Sequence, residues 1–173
     1  MALVVEDGTG LSTAESYQAV AAISTFLDLH HPPADKTAWD LLTTAQMEQM
    51  CREGTQYLDL TFGQRWKSVR TNEVQALDWP RTGVEDRDGY VIDEDVLPAD
   101  LLKAHSEATW RASTATMIPD IAAPVGDIQA EEVKIGQLKV KTEYTGGGSA
   151  SPSYAIIKRY VQDLIWSGMG VRG

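Results

Sequence analysis

Four sets of side chains have the types that chemistry at a protein surface requires. The first is acidic: Asp86-x-Asp88-Gly89, followed by Asp93, Glu94 and Asp95, gathers hard oxygen ligands of the kind calcium takes. With Gly89 aligned as the turn glycine of a calcium loop, Val84 falls at the first ligand position and Asp95 at the last. Both depart from the pattern, so a solvated acidic hairpin is expected and no metal. The second set is imidazole: His30 and His31 are adjacent and poorly placed to share one ion, a helix C-terminus accounts for His30, and His105 is the only other histidine. The third is Glu131-Glu132, neighbours that a strand points to opposite faces, a solvated pair rather than an acid and a base. The fourth is Cys51, a lone thiol inside an apolar helical stripe, which reads as a buried small hydrophobe and not a nucleophile. Gly8-x-Gly10 alone is too weak to suggest phosphate binding, and no Gly-x-Ser-x-Gly, His-Glu-x-x-His, Cys-x-x-Cys or phosphate-loop pattern occurs. No catalytic residue and no cofactor is expected.

Binding is a separate question from catalysis. Lys134, Lys139 and Lys141 with Tyr144 form one basic stretch, and Arg65-Trp66-Lys67 with Arg70 forms another. Cations beside an aromatic suit single-stranded nucleic acid, but 15 Lys plus Arg against 25 Asp plus Glu give a net charge of −10, which opposes nonspecific attraction to phosphates. Trp79-Pro80-Arg81-Thr82-Gly83 combines an apolar anchor, a rigid bend, a fixed cation and a flexible exit. Two roles stay open for it. Either Trp79 plugs the core while Arg81 satisfies local carbonyls or a carboxylate, or Arg81 sits at a subunit boundary against an acidic neighbour.

The elements that must carry these residues follow from the apolar spacing. The 173 residues, 43% hydrophobic and 23% charged, suit one soluble domain. No apolar run long enough to span a bilayer occurs, and Met1 to Asp7 lacks a leader pattern, so neither secretion nor membrane association is expected. Leu3-Val4-Val5 suggests a short strand before a glycine turn. A polar cap at Ser16 precedes Val20, Ile23, Phe26 and Leu27 on one helical face, which Pro32 and Pro33 end. Thr43 or Thr44 with Gln46 begins a second helix running to about Phe62 with the stripe Met47, Met50, Cys51, Gly54, Tyr57, Leu58, Phe62; Gly54 within it calls for a closely packed neighbour. After an irregular segment with a tight turn at Asp88-Gly89, a third helix starts around Pro98 and ends by Pro119. Residues 131–144 alternate as a β-hairpin, 145–151 read as a linker, and a last helix runs from Pro152 or Ser153 to about Trp166 before a glycine-rich tail. The expected fold is mainly α (α+β): a bundle core of about four helices with a β-hairpin within residues 1–145, and within 146–173 a linker, tethered C-terminal helix and tail of the same domain. The tether leaves open whether that helix packs on its own core or on a neighbouring subunit.

Val5-Glu6-Asp7-Gly8-Thr9-Gly10-Leu11 with Ser16-Tyr17, then Gln75-Ala76-Leu77 with Trp79-Pro80-Arg81-Thr82-Gly83-Val84 and Asp86-x-Asp88-Gly89, resemble a bacteriophage family often labelled DnaT-like single-stranded-DNA-binding protein. Val133-x-Ile135-Gly136-x-Leu138-x-Val140 and the terminal helix follow in the family's order, while Asp78 before Trp79 and Leu97-Pro98 depart from it. Members look like head-to-tail adaptors of tailed phages. The resemblance implies a structural ring subunit, commonly in a dodecamer, that sits under the portal in the virion neck after assembly in the host bacterial cytoplasm. Its implied partners are copies of itself, the portal, tail or head-closure proteins, and genomic double-stranded DNA that slides through the channel without specific binding. On that reading Trp79, Pro80, Arg81, Thr82 and Gly83 form an assembly motif, and Tyr154, Ile157, Val161, Leu164, Ile165 and Trp166 contact a neighbouring subunit or the portal. The family's label implies the alternative, a replication protein that binds single strands through Lys134, Lys139, Lys141 and Tyr144. An acidic chain suits a channel better than a strand grip.

Overall fold

A computed structural model describes residues 2–118 and 154–166, together with the backbone of the strands at 130–135 and 138–143. The elements run α1 (Val20–His30), α2 (Pro33–Asp40), α3 (Thr44–Phe62), a 3-10 turn (Gly63–Arg65), β1 (Val69–Arg70), β2 (Arg81–Thr82), β3 (Val84–Glu85), β4 (Val91–Ile92), α4 (Ala99–Ala112), β5 (Ala130–Ile135), β6 (Leu138–Glu143) and α5 (Ala155–Val161). The fold is mainly α with short antiparallel strand pairs, and none of its described helices is long and apolar enough to cross a membrane. The backbone divides into two compact units, residues 1–117 with 154–173, and residues 118–153. In the second unit β5 and β6 pair antiparallel from Ala130↔Glu143 to Ile135↔Leu138, the hairpin read from alternation.

The first unit is organised by α3 against α4. The capping box at the start of α3 forms as its sequence requires: Gln46 N donates to Thr43 Oγ1 at 3.3 Å and Thr43 N to Gln46 Oε1 at 2.9 Å. Cys51, Gly54, Tyr57, Leu58 and Phe62 of the expected stripe are buried, whereas Met47 and Met50 are half-buried at its margin. At Gly54 the neighbour is α4, which presents the small face Ala104, Ala108, Thr109 and Ala112. A Cβ on Gly54 would lie 2.6 Å from Thr109 Oγ1 and 2.8 Å from Thr109 N, so glycine sets the distance between the two helices.

Three elements differ from the sequence reading. Ser16 does not cap α1, which starts at Val20 without a side-chain cap. Ser16 instead forms a parallel bridge with Val5 and turns its hydroxyl toward Gln18 O and His105. Pro32 and Pro33 do follow the end of α1, but Pro33 also opens the additional helix α2, because its fixed φ suits a first helical turn and it has no N–H to leave unbonded. Trp39 of α2 is buried against Ile23, Phe26, Leu27 and Cys51, closing a second apolar cluster. Helix α5 is shorter than expected: after Val161 the chain turns so that Leu164 O accepts from Lys67 N, and Ile165 bridges Trp66. The hairpin at Asp88-Gly89 forms as read, with Asp86 Oδ1 accepting from Asp88 N and Tyr90 N, both at 2.9 Å.

Replacing Gly54 by Ala is expected to destabilise the protein by about 1–3 kcal/mol through overpacking, despite the better helix propensity of Ala. The urea midpoint measures this. Unchanged or raised stability would mean that the helices separate freely at this contact.

Candidate functional site

His31 and His105 tie elements of the fold together. His31 Nδ1 lies 2.9 Å from Asp35 Oδ2 and Nε2 lies 3.1 Å from Glu107 Oε1; Arg111 also donates to Glu107, so this cluster ties the end of α1 to α2 and α4. His30 is exposed and its ring lies against Phe26. His105 is fully buried at the centre of a polar knot, with Nε2 within 3.1 Å of the Cys51 carbonyl and 3.0 Å of Thr55 Oγ1, and Nδ1 3.4 Å from Gln18 Nε2. A carbonyl only accepts, so Nε2 carries the proton and Nδ1 faces the Gln18 amide. Burial lowers its pKa to about 4. Sequence reasoning gave His105 no role, although Thr109 one turn later and Thr55 on the facing helix are the hydroxyls a buried imidazole needs. Burial likewise pushes the Cys51 thiol up to about 12.

Trp79, Pro80 and Arg81 of the Trp79-to-Gly83 block are buried, Thr82 is half-buried and Gly83 is exposed. Trp79 is fully buried, edge-on to Trp66 with centroids 5.8 Å apart. Arg81, 8% exposed, donates from Nε to Lys67 O at 2.8 Å, from one terminal nitrogen to Asp78 O at 3.0 Å and from the other to Ser68 O at 2.6 Å. Of the two roles open for Arg81, these bonds are those of the local one. Pro80 O accepts from Thr71 N and Gln75 Nε2, Thr82 reaches Glu94, and Gly83 takes a left-handed φ of +70°. Close by, Tyr17 OH donates to Asp59 Oδ1 at 2.5 Å and Asp78 N to Asp59 Oδ2 at 3.3 Å. Enclosure raises the carboxyl of Asp59 to about 7, with the Tyr17 hydrogen bond opposing and the Asp78 charge assisting, and burial also raises Asp78.

The expected contact residues of the C-terminal segment are mostly turned inward. Ile157, Val161, Leu164 and Ile165 are buried in this chain's own core with Tyr57, Trp66 and Trp79, which corrects the expectation that they meet a neighbour or the portal. The cause is the backbone: Lys67 N bonds Leu164 O at 3.0 Å and Trp166 N bonds Arg65 O at 2.9 Å, so the segment is stitched to the residues after α3. Tyr154 is half-buried, edge-on to Tyr57. Trp166 remains 53% exposed.

This stitching creates a surface feature. Arg65, after α3, converges with Lys158 and Arg159 of α5 on an open groove of about 380 Å³, lined also by Ala155, Gln162 and Ile165. No carboxylate lines it. Among the residues whose side chains are described, every other Lys or Arg is engaged: Lys67 bonds Glu85 O, Arg70 bonds Gln75 O, and the rest pair with carboxylates or, for Arg81, with carbonyls. The three cations without such a partner meet in this groove. Arg65 belonged to an expected basic cluster, but Trp66 is buried and Lys67 and Arg70 are engaged. Lys158 and Arg159 were not singled out, and the signal for them was their place on the exposed side of an amphipathic helix. In the other unit, the strand register sets Lys134 opposite Lys139 and Lys141 opposite Glu132, while Tyr144 lies outside the described residues.

A family model described as "Putative DnaT-like ssDNA binding protein" matches residues 1–173. No curated protein and no solved structure matches the chain.

The two perturbed groups predict opposite pH effects. Asp59 binds a proton near pH 7 when folded but only near 3.8 when unfolded, so its contribution to stability is full below the lower value and is lost as pH rises through 7. His105 binds its proton near 6.5 when unfolded but near 4 when folded, so its contribution is full above 6.5 and is lost as pH falls through 4. Between pH 8 and 6.5 acidification therefore stabilises the wild type, by no more than about 1.4 kcal/mol per pH unit per group, and below 6.5 the two oppose each other. Asp59→Asn is expected to flatten the urea-midpoint profile between pH 8 and 6.5 and steepen the loss below it. A variant profile parallel to the wild type contradicts the assignment.

Proposed function

The chain belongs to the DnaT-like ssDNA binding family, and from that premise we propose that it is a non-catalytic ring subunit of a tailed-bacteriophage neck. In this role copies of the chain form a ring under the portal, continue the DNA channel and offer a platform to tail or head-closure proteins. One observation carries this reading: Arg81, His105, Tyr17 and Asp59 inside the first unit are engaged in holding loops and helices together, and the three cations without a partner among the described side chains lie on an open outer groove. That is the surface of a protein that docks. The net charge of −10 supports a channel wall past which DNA slides.

The family description and the exposed Trp166 beside the groove favour a second reading, a replication protein that grips single strands by cation contacts and stacking.

Measuring the mass of the protein mixed with its portal tests the first reading, which expects a portal complex carrying a ring of copies. A chain that stays monomeric and ignores the portal contradicts it. Oligonucleotide binding at low salt tests the second. The neck reading expects weak or no binding; the replication reading expects steep salt dependence, with Lys158→Glu plus Arg159→Glu lowering affinity on the order of tenfold or more, and a further loss from Trp166→Ala.

A further inference from the structure

The groove lies at one end of α3, since Arg65 follows the last residue of that helix by three positions. At the other end, four residues before its first, the α1–α2 corner presents a surface of complementary kind. Leu29 is 73% and Leu41 82% exposed, and Asp28 and Asp40 flank them with only Lys36 between, 4.0 Å from one carboxylate and 2.5 Å from the other. One cation for two carboxylates leaves the corner negative as well as apolar. The groove end is positive as well as apolar, lined by Ala155 and Ile165 beside its three cations, with the exposed Trp166 bonded through its backbone to Arg65. At about 1.5 Å per residue, the 19 residues of α3 set the two surfaces about 28 Å apart.

We propose that the basic groove of one copy receives the α1–α2 corner of the next. The inference rests on the ring-subunit reading and supplies its contact. A ring requires two different faces on each copy, one that offers and one that receives, and faces at opposite ends of α3 meet that requirement. The acidic β3–β4 hairpin is the rival occupant, but Lys67 bonds Glu85 O, which ties the hairpin's base to the groove end of its own copy. Pairing it with the groove would bring like ends together, the geometry of a two-fold dimer rather than a ring.

The test uses the intact chain. An equal mixture of isotopically light and heavy wild-type protein at millimolar concentration is treated with a carbodiimide, which joins a lysine to a carboxylate without a spacer, and linked peptides are read by mass. The expected product joins Lys158 of one isotope to Asp28 or Asp40 of the other. In sedimentation at low salt, Lys158→Glu plus Arg159→Glu, and separately Asp28→Lys plus Asp40→Lys, are each expected to weaken self-association on the order of tenfold. Mixing the two variants restores it, while Asp88→Lys plus Asp93→Lys on the hairpin has no effect. Assembly with cross-links elsewhere, or loss caused by the hairpin variant instead, overturns this contact and leaves the ring reading standing. A wild type that is monomeric and free of mixed cross-links overturns this contact, and the ring reading falls with it only where the same protein also ignores the portal; cross-links abolished by a single-stranded oligonucleotide that binds the groove assign the groove to nucleic acid.

Discussion

The first unit depends on the guanidinium of Arg81. Its donors reach three backbone carbonyls, two in the stretch just after α3 and one in the loop just before β2, so one side chain locks together two segments that have almost no regular structure. Hydrogen bonds to a charged group are each worth about 1.5–3 kcal/mol, roughly twice an ordinary one, and a planar fork can serve all three carbonyls where an ammonium could not. A buried cation also needs compensating charge, and Asp78 is its principal source, with Asp59 contributing in its ionised form. Asp78 is thus part of the electrostatic support for the buried arginine.

From this lock the rest follows in order. With the 67–70 stretch held, Trp79 fills the space beside Trp66, and Lys67 N and Arg65 O bond Leu164 O and Trp166 N, respectively. The C-terminal segment therefore ends its helix early and packs on its own core. Because α5 is held with Ile157 and Val161 inward, Lys158 and Arg159 face outward next to Arg65. The groove is a by-product of how the core closes. Glu6 organises the N-terminal loop by accepting from Gly8 N, Gly10 N and Leu11 N, and Gly8 has no room for a Cβ against the Asp95 carbonyl. The glycine-rich motif thus shapes a loop around a carboxylate and not around a phosphate.

What the sequence disclosed was what short-range rules govern. The capping box at Thr43, the close approach at Gly54, the turn at Asp88-Gly89 and the alternation of the later hairpin are decided within a few residues, and all stand in the structure. Helix α2 was missed because Pro32-Pro33 is both a stop and a start, and the second meaning depends on Trp39 finding a core to enter. The end of α5 was misplaced because it is set by hydrogen bonds to residues nearly a hundred positions away. The groove was out of reach for the same reason, as its cations come from two distant segments. The apolar face of the last helix was identified correctly, but no local pattern says whether such a face meets its own core or another chain.

The central claim is that the binding chemistry of this chain lies on its docking surface and that its task is to complete a ring under a portal. Imaging portal particles mixed with the protein tests this most directly. The account predicts a closed ring of added density on the portal, with successive copies joined groove to corner around an open axis wide enough for duplex DNA. Portal particles without added density, beside a chain that coats single-stranded DNA instead, would contradict it.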